Sequence, residues 1–305
     1  MSFLEQEGYT LFIINYTLDY VMAKISAKKG IVDVILYIIL FIVIQLAVTY
    51  AGVLIWSLVK NEGYASVLAM LTSGNNAKLL ALTSAFSSMI SLAIFLKTKW
   101  TPVTRDYLLS KPWVALMWVA LFTLGTIIPL EFIYEQLGIE MEESVGKVFE
   151  GLMKEPWGYV AVGILAPLAE EVIFRGAILR TLLGMMSKKN HWVAIMISAA
   201  LFGAVHGNEA QFVNALVMGL LLGWMYYRTK SLVPGILMHW VNNTMAYILN
   251  NIMPQSDGKL IDLFHGDEKT VYYAVGFSLC ILIPSFIQMI IRLQKPKASN
   301  GILKA

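Results

Sequence analysis

The chain has 305 residues, of which 58% are hydrophobic and 14% charged, and its mean hydropathy is +0.67. Soluble globular domains carry about 25% charged residues, so this composition excludes an ordinary water-soluble domain and also disordered and collagen-like chains. The formal net charge is only +3. The basic residues are scattered over many short segments, which argues against a nucleic-acid-binding protein. The single cysteine, Cys280, excludes an intrachain disulfide and, in its apolar surroundings, is predicted to be buried or lipid-facing.

Eight segments are apolar enough to be considered as membrane spans, because crossing the hydrocarbon core takes about 20 mostly apolar residues. They are residues 34–59, 79–96, 113–133, 157–179, 192–206, 212–227, 232–253 and 271–291. The fifth and sixth are short and require burial among the others. The fourth carries charged residues near its middle. The sequence therefore predicts an all-α, polytopic membrane helical bundle of about eight transmembrane helices.

The connecting segments indicate how this bundle is oriented. If the N-terminus is cytoplasmic, the inner segments contain 16 basic residues and the outer segments contain 6. Cytoplasmic loops of membrane proteins carry an excess of lysine and arginine. An even number of spans then places both termini in the cytoplasm, and we expect a multi-pass protein of the cell membrane.

Two amphipathic segments lie outside the predicted spans. Before the first span, apolar residues recur at helical spacing and predict a helix on the inner membrane surface; they are Leu11, Ile14, Leu18 and Val21. Between the third and fourth spans, a second apolar stripe is surrounded by glutamates and predicts a helix that caps the outer end of the bundle. This stripe consists of Met141, Val145, Phe149 and Leu152.

The fourth predicted span contains three ionisable residues that a membrane segment normally lacks. Glu170, Glu171 and Arg175 lie within six positions of each other, and each costs about 2.5–3.5 kcal/mol at the bilayer centre on insertion scales. Glu171 and Arg175 are four residues apart and share a helix face, so they can form an ion pair. Glu170 is rotated about 100° from Glu171, which leaves it free for another role. Pro167, about one turn earlier, is expected to kink the helix.

Two further spans contribute imidazole groups. The fifth ends at His206, four residues after Phe202, and the seventh contains His239 and Asn243, which share one helix face. At about 1.5 Å per residue, Glu170 and both histidines lie within a membrane core about 30 Å thick. We therefore expect Glu170, His206, His239 and Asn243 to converge in one polar cavity.

Such a cavity supports two kinds of hydrolytic chemistry. A carboxylate and an imidazole can hold and deprotonate water, while a second imidazole and an amide can donate hydrogen bonds to the oxyanion formed at a peptide carbonyl. Alternatively, Glu170, His206 and His239 match the three protein ligands of a catalytic zinc ion, with Glu171 or a water molecule in the fourth position.

The three motifs Glu170-Glu171-x-x-x-Arg175, Phe202-x-x-x-His206 and His239-x-x-x-Asn243 resemble the signature of the CPBP family. These are the CAAX-protease and bacteriocin-processing intramembrane endopeptidases, also called Abi proteins. The resemblance implies an intramembrane endopeptidase that cuts a membrane-associated peptide or protein within the lipid bilayer. It also implies that Glu170 and His206 activate water, that His239 and Asn243 form the oxyanion site, and that Glu171, Arg175 and Phe202 support them.

No cofactor is favoured, because an amide in the third motif suits an oxyanion donor better than a zinc ligand, but zinc stays possible. A non-catalytic immunity or scaffold relative is a further alternative. A proton-coupled transporter lacks the expected pair of broken helices in matching halves, and a haem protein leaves the first motif unexplained.

The predicted spans and the three motifs together divide the chain into four regions. Residues 1–30 form the N-terminal cytoplasmic-surface segment, and residues 31–156 the first three spans with the outer amphipathic helix. Residues 157–253 form the catalytic membrane core, and residues 254–305 the last span and a basic cytoplasmic tail.

Overall fold

The computed structural model describes residues 3–252 and 259–296, with side chains from residue 28 onwards. The described chain is helical and contains no strand, in agreement with the predicted helical bundle. The helices outside the motif region are α1 (Phe3–Lys60), α2 (Tyr64–Thr72), α3 (Ala77–Lys97), α4 (Asp106–Leu109), α5 (Trp113–Gln136), α6 (Glu143–Lys154), α10 (His191–Ala204), α11 (Glu209–Thr229), α12 (Val233–Ile252), α13 (Leu260–Leu263) and α14 (Glu268–Arg292).

Five of the described helices are long and apolar enough to cross a membrane. They are Lys28–Lys60 within α1, together with α3, α5, α11 and α14. The predicted fourth, fifth and seventh spans do not meet the same criteria on their own. The fourth carries buried charges, and α10 has only 14 residues. A multi-pass membrane protein is thus supported, while the count of eight spans stays a prediction.

At the N-terminus, α1 continues without a break from Phe3 to Lys60. The predicted surface helix and the first span therefore belong to one continuous helix. The side chains of the stripe from Leu11 to Val21 lie outside the described residues, as do residues 297–305 of the predicted basic tail.

The predicted outer amphipathic helix corresponds to α6. Val145, Phe149 and Leu152 are half-buried on it, whereas Met141 precedes the helix and is exposed. The α6 helix packs against α3 and α12, and the Asn251 amide donates to the Met153 carbonyl at 2.9 Å. The helix therefore covers one end of the bundle.

The first motif lies on a helical rod that combines α-helical and π-helical turns, which we call the motif helix. It runs from Pro156 to Met185 as α7 (Pro156–Gly158), a π-helical segment (Tyr159–Leu165), α8 (Ala166–Glu170), a second π-helical segment (Glu171–Leu179) and α9 (Arg180–Met185). The sequence predicted a kink at Pro167, but the rod continues through this residue. Its hydrogen-bonding pattern changes from π-helical to α-helical directly before Pro167.

The second π-helical segment is the centre of the molecule, since all nine of its residues are buried. Three of its carbonyl groups accept hydrogen bonds from side chains. Thr101 donates to Val172 at 2.7 Å, Ser198 to Phe174 at 3.0 Å, and Arg180 to Gly176 at 3.0 Å. Buried backbone groups need partners, and these bonds hold the segment in position relative to its neighbours.

Glycines allow α10 and α11 to pack closely. A Cβ atom at Gly219 would lie 2.8 Å from Ala199, and one at Gly223 would lie 2.9 Å from Ile195. This is the close contact expected of a G-x-x-x-G pair. Gly203 likewise lies against Phe212, whereas Gly207 has φ +73°, and a Cβ atom there would have no neighbour within 4 Å. Gly207 is therefore a turn residue. Cys280 is exposed on α14, as expected of a lipid-facing side chain.

Candidate active site

Glu171 lies at the centre of the polar cluster. Its Oε1 accepts a hydrogen bond from Arg175 Nη1 at 2.8 Å, and both side chains are almost completely buried. The ion pair predicted from their four-residue spacing is therefore confirmed. The same Oε1 lies 3.3 Å from His239 Nδ1, on α12. Glu171 thus connects the first and third motifs, which the sequence did not predict.

Glu170 faces the other nitrogen of the same imidazole. Its Oε2 lies 3.5 Å from His239 Nε2, and 18% of its side chain is exposed, against 0% for Glu171. His239 is consequently placed between two carboxylates, one buried and paired with Arg175 and one accessible. An imidazole in this position donates from both nitrogens when it is protonated.

Phe202 supports both imidazoles with one aromatic ring. Its centroid lies 5.2 Å from that of His206 and 5.8 Å from that of His239, both with edge-on geometry. The Arg175 guanidinium lies 4.4 Å from the same ring, within the range of a cation–π contact. The three motifs therefore meet at Phe202, although its role was predicted only as packing.

His206 lies in the turn that follows α10. Its Nδ1 is 2.8 Å from the Phe202 carbonyl oxygen, and because a carbonyl can only accept, Nδ1 carries the proton. Nε2 is then the basic nitrogen. The Asn208 amide donates to the His206 carbonyl at 3.2 Å, and its oxygen accepts from the Gln211 N–H at 3.0 Å at the start of α11. Asn208 therefore anchors the turn, a role that the sequence analysis missed.

Asn243 lies one turn after His239 on α12. Its Nδ2 donates to the Val162 carbonyl at 2.9 Å, and its Oδ1 accepts from Asn242 at 3.2 Å. These bonds orient the amide and leave its second N–H for another acceptor. Val162 belongs to the first π-helical segment, so this segment positions part of the third motif.

Gly235 allows α12 to approach Glu171. A Cβ atom at this position would lie 2.6 Å from Glu171 Oε2, closer than a van der Waals contact allows. Glu171 Oε2 has no hydrogen-bond partner among the described residues. The sequence contains no local signal for this contact, because Gly235 and Glu171 are separated by 64 positions.

The predicted zinc ligands were compared with this arrangement. Within residues 28–252 and 259–296, no group of three histidine, cysteine, aspartate or glutamate side chains has a geometry that could hold a metal ion. Among the described residues, Glu170 lies near His239, and His206 contacts the same Phe202 ring as His239. The residues present do not fit a catalytic zinc ion, and zinc is not supported.

Comparison with known proteins agrees with the three motifs. The family model described as type II CAAX prenyl endopeptidase Rce1-like matches residues 153–245. The resemblance to the CAAX proteases is confirmed. This match covers Glu170 to Asn243, and therefore all three motifs.

A curated relative has also been found. The chain is 29% identical over 136 residues to the Bacillus subtilis (strain 168) protein named "Putative membrane peptidase YdiL", and the match covers 45% of this chain and 54% of that protein. The chain thus spans about half the length of this relative. No solved structure matches the chain.

Proposed function

We propose that the protein is an intramembrane endopeptidase that hydrolyses a peptide bond in a membrane-associated peptide or protein. The observation that carries the proposal is the accessible Glu170 carboxylate beside His239, inside a helical bundle suited to a membrane. An ionisable group at such a position is costly and is usually functional. The family match and the peptidase name of the curated relative support the same chemistry.

In the proposed reaction, Glu170 and His206 bind a water molecule and accept its proton while the water oxygen attacks the peptide carbonyl carbon. The basic Nε2 of His206 suits this role. The carbonyl becomes an oxyanion, which accepts hydrogen bonds from His239 and from the second N–H of Asn243. The C–N bond then breaks and the leaving nitrogen takes up the proton that the water gave to the base. The products are an amine and a carboxylic acid, which releases the second water proton and becomes a carboxylate. No covalent intermediate with the protein is formed.

Glu171 acts on this reaction through His239. Its Oε1 accepts from His239 Nδ1 and is itself held by Arg175, so the ring presents Nε2 toward Glu170. Glu171 and Arg175 are therefore proposed as positioning residues. Phe202 restricts the rotation of both imidazoles.

The test uses purified protein in proteoliposomes with a panel of internally quenched, lipid-anchored peptides, including one with a prenylated C-terminal cysteine motif. We expect E170Q, H206A and H239A each to reduce cleavage by about 10²–10⁴-fold, since each removes a proton acceptor or an oxyanion donor. N243A should have a smaller effect because His239 still donates. The matched control is E143Q, which changes an exposed carboxylate on α6 whose pKa is lowered by Lys147. Full activity in E170Q would contradict the mechanism.

Metal removal separates the two hydrolytic mechanisms. We expect prolonged chelation of the active protein to leave peptide cleavage unchanged, because the proposed water activation uses only Glu170 and His206. Elemental analysis of the same preparation should find less than one zinc per chain. Loss of cleavage on chelation with recovery on added zinc would overturn the metal-independent mechanism.

A further inference from the structure

A cluster of basic and aromatic side chains lies at the end of the bundle that we predict to be cytoplasmic. The His191 ring stacks on Tyr227 with a centroid distance of 4.1 Å and an interplanar angle of 10°. Lys230 Nζ lies 4.6 Å from the centroid of the Tyr227 ring. His191 Nδ1 also donates to the Lys188 carbonyl at 2.9 Å. The group, which we call the basic aromatic cluster, consists of Lys188, Lys189, His191, Tyr227, Lys230 and Lys295.

The backbone brings these residues together from three separate elements. Lys230 ends α11 in the left-handed conformation, with φ 55°, and its N–H donates to the Tyr226 carbonyl at 2.7 Å. Arg228 donates to the carbonyls of Leu293 and Ile290 at 2.9 and 2.7 Å. These bonds attach the end of α14 to the end of α11. Burial, and then the positive charge of Lys295, lower the pKa of Lys230.

The stretches of sequence that carry the cluster contain no acidic residue. The sequence contains no aspartate or glutamate from residue 172 to 208, from 210 to 256, or after Glu268. In the described part of the chain, no cluster lysine lies within 4 Å of a carboxylate oxygen. Like charges at close range repel each other, so an anion bound between the lysines would stabilise this arrangement.

Exposed apolar side chains adjoin the cluster on the same elements. Trp192, Val193 and Met196 on the first turns of α10 are 50–51% exposed, and Ile290 and Ile291 at the end of α14 are 43% and 55% exposed. Trp192 also lies beside His191, with a centroid distance of 5.7 Å. Tryptophan is enriched at membrane interfaces. Binding of a soluble anion would use only the lysine charges and would leave these apolar side chains uncovered. A phospholipid would bind the lysines through its phosphate and cover the apolar side chains with its acyl chains.

We propose that the basic aromatic cluster binds the phosphate of an anionic phospholipid in the inner leaflet. Lys230 and Lys295 contact the phosphate, Lys188 and Lys189 attract it from the rim, and Tyr227 holds Lys230 and His191 in place. The acyl chains lie along Trp192, Val193 and Met196. Basic pockets between helices on the cytoplasmic side are suited to anionic headgroups. The site is distinct from the three motifs and does not depend on the proposed protease activity.

The experiment measures lipid binding to the delipidated full chain in a neutral detergent, by native mass spectrometry. Phosphatidylglycerol is compared with phosphatidylcholine of identical acyl chains. We expect preferential binding of phosphatidylglycerol. Each lysine near a membrane surface contributes about 1 kcal/mol, or about fivefold in affinity, so K230Q/K295Q should weaken binding about 30-fold. The control K78Q/K269Q removes the same charge from exposed positions in the predicted outer segments and should bind as the wild type.

A third variant distinguishes a specific lipid-binding site from nonspecific electrostatic attraction of anionic lipid to the lysines. Y227L removes the ring that contacts His191 and Lys230 but changes no charge, and it should also weaken phosphatidylglycerol binding. Wild-type affinity in K230Q/K295Q or in Y227L would overturn the proposal, as would equal binding of phosphatidylcholine. Displacement of the lipid by an equal concentration of inorganic phosphate would also overturn it, because the site would then recognise the small anion alone.

Discussion

The Glu171 side chain has a structural contact with Arg175 and, in the proposed mechanism, also a positioning role. One carboxylate oxygen contacts both Arg175 and His239, in a position with no exposure to solvent. Removing one member of a buried ion pair leaves the other charge unpaired, which costs about 3–5 kcal/mol. The two roles are therefore lost together in a single substitution and have to be separated by a double variant.

We expect E171Q to lower the yield of folded protein and its thermal stability in detergent. E171L/R175M should recover much of this stability, because apolar residues of similar volume often replace a buried ion pair without loss. It should not recover peptide cleavage, since His239 Nδ1 still lacks its acceptor. Stability and cleavage that recover together in the double variant would contradict the positioning role of Glu171.

At the scale of helices, the contact between α12 and the motif helix decides how the site is assembled. The contact is close because position 235 is a glycine, and the carboxylate that it faces is held on its other side by Arg175 and His239. A larger residue at position 235 would therefore push against a carboxylate that Arg175 and His239 hold on its other side. The separation of these two elements determines the distance between Glu170 and His239.

We expect G235A to reduce cleavage strongly while the protein still inserts into membranes, because the added methyl group displaces Glu171 or α12. The control is G276A, at a position on α14 where a Cβ atom has no neighbour within 4 Å. Alanine is favoured over glycine in a helix by about 1 kcal/mol, so G276A should be neutral or slightly stabilising. Cleavage by G235A at the rate of G276A would show that the close contact is not needed. Both variants are compared by initial cleavage rate and by yield in the membrane fraction.

At the scale of the whole molecule, the structure separates the two ends of the bundle. The α6 helix is bonded to the end of α12, and the Leu260 N–H is bonded to Glu135 at the end of α5. The opposite ends of α11 and α14 are joined by Arg228. This grouping agrees with the basic asymmetry of the sequence, in which Lys188, Lys189 and Lys230 are predicted to be cytoplasmic.

Reporter fusions test the orientation. Fusions after Lys189 and after Lys230 should report a cytoplasmic location, and fusions near Glu143 and Asp262 should report an external one, because the basic residues are concentrated in the first group of segments. Alkaline phosphatase and a fluorescent protein serve as complementary reporters. A cytoplasmic signal near Glu143 would overturn the eight-span topology.

The sequence by itself determined the class of fold and was sufficient to propose the residues of the candidate site. Long apolar segments require membrane helices, because every backbone polar group in the bilayer has to be bonded within the chain. The four-residue spacing of Glu171 and Arg175 was enough to predict their ion pair, since it places both on one helix face. The three motifs were recognised from their residue types and spacing.

Only the tertiary structure decided how the motifs are connected. The contacts of His239 with Glu170 and Glu171 join residues about 70 positions apart, and helical periodicity contains no information on which faces of distant helices meet. The π-helical turns also could not be predicted from an apolar pattern, which is the same for α-helical turns, and Thr101 and Ser198 donate to their carbonyls from distant parts of the sequence. The proton position on His206 follows from its contact with the Phe202 carbonyl, and a spacing of four residues alone does not specify this ring orientation.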